Sequence, residues 1–325
     1  MNLLKKLSTL PQHGLNLLKL IKQAAIEFHY DGATKMSAAL SYYTLFSIAP
    51  MLIIVIAVSS IWLGKEAAEG YLYQQFEGLM GTTASLQVQE MIRNVYVSGD
   101  TPWVTVLGVA TLIFGATGVF VEIQDSVNTI WSLKAKPKRG WLKFLKNRLL
   151  SFSLVIGIGF LLLVSLVVSA MLSVVNDWLT GFFSQTAWVA ALISNCISLL
   201  TVMLLFSVIF KVLPDAKLQW KDVLVGAFAT TLLFLGGKYL INLYLSKSSA
   251  VSAYGAAGAV VLLILWVYYS SVILYFGAEF TKVYANLYGS KIRPSAYAVF
   301  IEKKEIIADQ PVLAEATQAV SVKKV

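Results

Sequence analysis

The sequence predicts an all-α, polytopic membrane protein with six transmembrane helices, amphipathic interfacial helices and a helical cap on the outer face. Three observations carry that prediction. First, the 325 residues are 58% hydrophobic and only 13% charged, with a mean hydropathy of +0.72. Adding the 21 Gly takes the apolar share to about 64%, against about 45–50% in soluble domains. Second, six apolar runs reach the roughly 18 residues needed to cross about 30 Å of hydrocarbon at about 1.5 Å per residue. Third, Lys and Arg crowd into alternate connections. This composition excludes disorder, collagen, coiled coil and disulfide scaffold. Cys196 is the one cysteine, and His13 and His29 are the only histidines, so neither an internal disulfide nor a His-rich metal site can form.

Residues 1–36 form a cytoplasmic arm, in which residues 15–30 read as an amphipathic helix lying on the membrane surface. The six spans follow within a transmembrane domain of residues 37–282: Ser37–Trp62, Pro102–Val121, Leu150–Val175, Ala187–Phe210, Val223–Leu245 and Ala256–Ala278. Each must be helical, because in hydrocarbon a backbone N–H or C=O finds its partner only within a helix or a closed barrel, and these are long continuous runs. The first is not a cleaved signal, since some 36 residues precede it and no small-residue cleavage site follows. The outward connection, residues 63–101, shows helical periodicity in two halves separated by Gly81, and reads as two short helices capping the bundle. After Pro137, residues 141–148 alternate aromatic and basic side chains and suit a second interfacial segment. The tail, residues 283–325, is polar and mixed in charge after Arg293-Pro294, and reads as disordered.

Orientation follows from the basic residues. The arm, the second and fourth connections and the tail hold 22 Lys and Arg, while the first, third and fifth connections hold Lys65, Arg93 and Lys247. The positive-inside rule then places both termini in the cytoplasm. Anionic headgroups on the cytoplasmic side account for the net charge of +9, and nucleic acid is not expected as a partner.

Charged groups at membrane depth are expensive and tend to face the bundle. Glu122, Asp125 and Asn128 lie at the cytoplasmic end of span two, Glu279 at that of span six, and Lys211 and Asp215 at that of span four, with Arg148 at the start of span three. At one depth these make a candidate polar gate or binding cluster. Snorkelling of the same side chains to the interface is the plainer alternative, and it applies equally to Lys238 within span five. Span one carries a candidate kink and hydroxyl site, Ser41, Tyr42, Tyr43, Thr44, Ser47 and Pro50, because Pro50 frees a carbonyl that hydroxyls can satisfy. Gly115, Gly118, Gly236, Gly237, Gly255 and Gly258 suit close helix packing or hinges. Trp62, Trp103, Trp131, Trp178, Trp188 and Trp266 read as interface residues. No HExxH, CxxC, GxSxG or Walker loop is present, so no catalytic residue, metal or cofactor is expected.

The run from Ala38 to Pro50, the stretch Gly118–Trp131 and Leu213-Pro214-Asp215 resemble the bacterial YihY/BrkB membrane proteins. So do Tyr254–Gly258, Trp266-Val267-Tyr268 and Gly277-Ala278-Glu279. The resemblance spans roughly residues 20–290 and implies a six-helix protein of the bacterial cytoplasmic membrane. The family has carried a ribonuclease label, which this chain does not fit: it lacks a His/Asp metal cluster and a sizeable soluble domain. The leading expectation is a transport-type protein moving an unidentified small solute, ion or amphiphilic lipid. A non-transporting scaffold in envelope assembly, docking through residues 63–101, is the alternative, and a membrane-embedded enzyme the third.

Overall fold

A computed structural model of the chain describes residues 10–64, 102–135, 187–247, 258–295 and 298–302, with Gly157 and isolated positions between 66 and 89. The third predicted span, Arg148, Gly255 and the segment 141–148 lie outside the described residues, as does most of the predicted outer cap. The described chain is mostly helical: α1 (Leu10–Tyr30), α2 (Ala33–Leu63), α3 (Pro102–Ile130), α4 (Ala187–Val212), α5 (Trp220–Lys247) and α6 (Gly258–Leu287). These six do not correspond one to one with the six predicted spans, because α1 is the amphipathic arm. By length and composition, Trp220–Ile241 of α5 and Val260–Leu287 of α6 suffice to cross a membrane.

α1 ends where Asp31 N–H donates to the Glu27 carbonyl at 2.8 Å and Gly32 turns to φ +70°, a conformation glycine adopts without steric strain. α2 then runs for 31 residues, through Pro50. α6 is the central helix, touching α1, α2, α3 and α5, while α2 lies along α3 and α4 along α5. The core joins Leu40, Ile48 and Leu52 of α2 to Phe120, Ile123 and Val127 of α3, Phe210 of α4 and Leu274, Tyr275 and Ala278 of α6. Lipid tails are as apolar as these side chains, so close packing holds the helices together more than exclusion of water does.

The α5–α6 contact shows how. A Cβ on Gly226 would overlap Thr281, and a Cβ on Gly277 would overlap Thr230. Each threonine turns its hydroxyl back to the glycine four residues earlier on its own helix: Thr230 Oγ1 donates to the Gly226 carbonyl and Thr281 Oγ1 to that of Gly277, both at 2.7 Å. Two antiparallel Gly-x-x-x-Thr pairs therefore interlock.

One end of the bundle is tied by backbone. β1 (Leu133–Ala135) pairs antiparallel with β4 (Ala298–Phe300), Lys134 opposite Val299. β2 (Ala216–Lys217) pairs with β3 (Arg293–Pro294), Ala216 opposite Pro294. Of the tail expected to be disordered from residue 283, α6 takes the chain to Leu287 and the strands keep it in register with two earlier connections to Phe300, while residues 303–325 lie outside the described residues. The cross-strand pairing overrides the polar composition there. Trp131 also departs from its interface reading, since it is 2% exposed and its Nε1 donates to the Ala278 carbonyl at 3.1 Å, joining α3 to α6.

Candidate functional site

The site begins on α6, where Gly277 and Ala278 let neighbouring helices approach and so close the surroundings of Glu279. The Glu279 side chain is 0% exposed. Its Oε2 meets Lys282 Nζ at 3.2 Å, three residues on along the same helix face. Lys282 also reaches α1, with Nζ 3.1 Å from Asp31 Oδ2 and 2.8 Å from Glu27 Oε2. Glu27 and Asp31 sit four residues apart at the end of α1, on the stripe that faces α6; Leu20 and Ala24 continue that stripe and pack on Phe280 and Val283. One ammonium thus serves three carboxylates from two elements.

Electrostatics make this arrangement responsive. A buried carboxylate is tolerated where its oxygens are paired, and Glu279 Oε1 has no hydrogen-bond partner. Lys282 is shared by three acids, so a proton or small cation taken up by one of them changes how its ammonium is divided among the others. Among the described residues, no three His, Cys, Asp or Glu side chains are arranged to hold a metal ion.

Among the described residues, two more buried polar atoms lack a hydrogen-bond partner: Gln124 Oε1 on α3 and the Tyr275 hydroxyl, one turn before Glu279 on α6. Tyr275 is 0% exposed and lies toward Glu122 and Ser126 of α3. Beside α1, a groove of about 530 Å³ is lined by Lys19, Lys22, Glu27 and Asn286 among others.

The predicted polar cluster separates into distinct places. Glu122 accepts a hydrogen bond from Ser126 Oγ at 3.3 Å on its own helix. Asp125 is exposed, and its carbonyl accepts from Thr129 Oγ1 at 2.8 Å. Asn128 and Asp215 do meet: Asn128 Oδ1 accepts from the Asp215 backbone N–H at 2.8 Å, and Asn128 Nδ2 donates to Asp215 Oδ2 at 3.3 Å. Lys211 donates to the Leu218 carbonyl and lies 5.5 Å over the Trp220 ring. Lys211 thus lies apart from Glu279, whose basic neighbour is Lys282, one turn along its own helix.

In α2, Ser41 and Thr44 donate to the carbonyls of Ser37 and Leu40 at 2.8 and 2.7 Å, and Ser47 is buried 3.1 Å from the position a Cβ on Gly118 would take. Tyr42 and Tyr43 point outward, 62% and 45% exposed, so the six residues of that candidate site do not converge. Pro50 lies within α2 with no break in the helix. Gly115 and Gly118 lie within α3, Gly236 and Gly237 within α5, and Gly258 opens α6.

Sequence reasoning passed over Glu27, Asp31 and Lys282. The first two looked like the polar end of a surface helix and the third like one of many tail lysines. Their signal is the pair of spacings, i,i+4 in α1 and i,i+3 in α6.

A family model described as virulence factor BrkB matches residues 24–299. Among curated proteins, the chain is similar to the UPF0761 membrane protein of Azotobacter vinelandii, 28% identical over 262 residues, 78% of this chain and 60% of that protein. It is also similar to that of Tolumonas auensis, 28% identical over 260 residues, 78% of this chain and 80% of that one. With that of Vibrio vulnificus strain YJ016 it shares 24% over 287 residues, 84% of each chain. The match thus spans less than two thirds of the Azotobacter relative's length. No solved structure matches the chain.

Proposed function

The chain belongs to the virulence factor BrkB family of membrane proteins, and from that premise we propose that it is a transport-type protein that moves a small solute, ion or amphiphilic lipid across the bacterial cytoplasmic membrane. Six spans carry it, with both termini in the cytoplasm. In support, the segments that the Lys/Arg distribution assigns to the cytoplasm come together at one end of the bundle. The connections after α3 and α4 pair with the chain after α6, and α1 is joined there through Lys282. Lys19 and Lys22 of α1 suit anionic headgroups at that surface.

The observation that carries the transport reading is Glu279, a fully buried carboxylate with one unpartnered oxygen, tied by Lys282 to an amphipathic helix. In this reading Glu279 takes up a proton or cation. Its hold on Lys282 weakens, and the α1–α6 contact shifts as the ammonium is left to Asp31 and Glu27. The test is ion flux in proteoliposomes of the full chain, wild type against Glu279→Gln. A wild type no more conductive than protein-free liposomes contradicts the reading, and so does a Glu279→Gln variant equal to wild type.

A further inference from the structure

An apolar groove of about 450 Å³ runs between α5 and α6, lined by Leu232, Leu233, Gly236 and Leu240 on one side and Tyr269 and Ile273 on the other. From Leu232 to Leu240 it follows α5 for about 12 Å. Its two adjacent glycines do different work. A Cβ on Gly237 would overlap the Tyr269 hydroxyl and crowd Ile273, so packing demands glycine there. A Cβ on Gly236 would meet nothing within 4 Å. Mid-helix glycine costs about 0.5–1 kcal/mol relative to alanine, and at Gly236 no protein contact requires it. What its missing side chain does is widen the groove.

The surroundings say what fills it. Among the described residues, α5 and α6 contain the two segments long and apolar enough to cross a membrane, so the groove opens to hydrocarbon rather than water. Leu232, Leu233 and Leu240 along it are 49%, 44% and 64% exposed. Among the lining side chains only Tyr269 carries a polar group. A headgroup, sugar or ion placed there would lose its hydrogen bonds, whereas a hydrocarbon chain has none to lose.

We propose that this groove is a binding slot for one acyl chain of a membrane lipid, kept open by Gly236. It binds whether or not the protein transports, and holds a lipid longer than the freely exchanging lipids around the bundle.

The test uses the full-length chain in liposomes of phosphatidylethanolamine and phosphatidylglycerol doped with a phospholipid carrying a diazirine on its acyl chain. After illumination, labelled positions are mapped by mass spectrometry. Labelling at Leu240 and Tyr269 is expected to exceed that at Phe228 and Leu204, exposed positions outside the groove, by about tenfold, which corresponds to about 1.4 kcal/mol of preference. In Gly236→Phe, whose ring enters the open space, the excess should disappear while labelling at Phe228 and Leu204 persists. Gly236→Leu, a smaller filler, should lower the excess partway and guards against misfolding of the larger variant. Equal labelling of groove and control positions in the wild type overturns the proposal, as does an excess that persists in folded Gly236→Phe or is undiminished in folded Gly236→Leu. Neither result bears on Glu279.

Discussion

Glu279 and Lys282, one turn apart on α6, meet at 3.2 Å, and the same ammonium lies 2.8 Å from Glu27 on α1. The lysine is thus shared by Glu279, Asp31 and Glu27, from two elements of the fold. Replacing it with methionine removes the ammonium from the buried Glu279 carboxylate, 0% exposed, and from Asp31, 6% exposed. Breaking a buried pair from one side costs about 3–5 kcal/mol. Lys282→Met should lower the thermal unfolding midpoint in detergent accordingly. The double variant Lys282→Met, Glu279→Gln should recover part of that loss, because the stranded charge is gone. A double variant less stable than Lys282→Met would argue against the pairing.

The glycines of α5 give opposite expectations within one helix. Gly226→Val forces a side chain into Thr281 and should destabilise by about 1–3 kcal/mol or more, as overpacking does. Gly236→Ala enters open space and should stabilise by up to about 1 kcal/mol through helix propensity. Unfolding curves of the two variants check this, and equal effects would mean that the helices do not interlock at Gly226.

Asn128 clamps the turn after α4 at two points on Asp215. Asn128→Leu keeps the volume and removes both bonds to Asp215 from a position that is 7% exposed. The expected loss is about 1–3 kcal/mol, with faster proteolysis in the chain near Asp215. An unfolding midpoint equal to wild type would show that the clamp contributes nothing to stability.

Much of this was legible in the sequence. Long apolar runs and the lopsided Lys/Arg distribution by themselves point to a helical membrane protein. Asn128 and Asp215 were already on the same candidate surface, because both lie just beyond the ends of apolar runs. What could not be read was which polar groups meet. Lys282 is one of seven basic residues from that point onward, and nothing local says that α1 folds back to offer it Glu27 and Asp31. The Gly226–Thr281 and Gly277–Thr230 contacts escaped for a similar reason: packing of small residues depends on which helix lies opposite, and one chain's periodicity does not reveal that. Trp131 misled because a tryptophan at a span end suits the interface as well as it suits a buried bond to a carbonyl.

Topology has its own test. With Cys196 replaced by serine, single cysteines at Lys5, Thr83 and Val320 report sidedness to a membrane-impermeant maleimide. Intact spheroplasts should label the Thr83→Cys protein only, and lysed ones all three. Labelling of either terminal position in intact spheroplasts would contradict the six-span arrangement.

The central claim is that Glu279 is the group through which this membrane protein responds to a proton or cation. The most direct measurement is dye-reported proton flux into proteoliposomes under an imposed pH gradient, with wild type and Glu279→Gln matched for unfolding midpoint and orientation. Flux in the wild type that falls about tenfold or more in the variant, about 1.4 kcal/mol in barrier height, is the predicted result. Flux that is absent in the wild type, or unchanged in the variant, would contradict it.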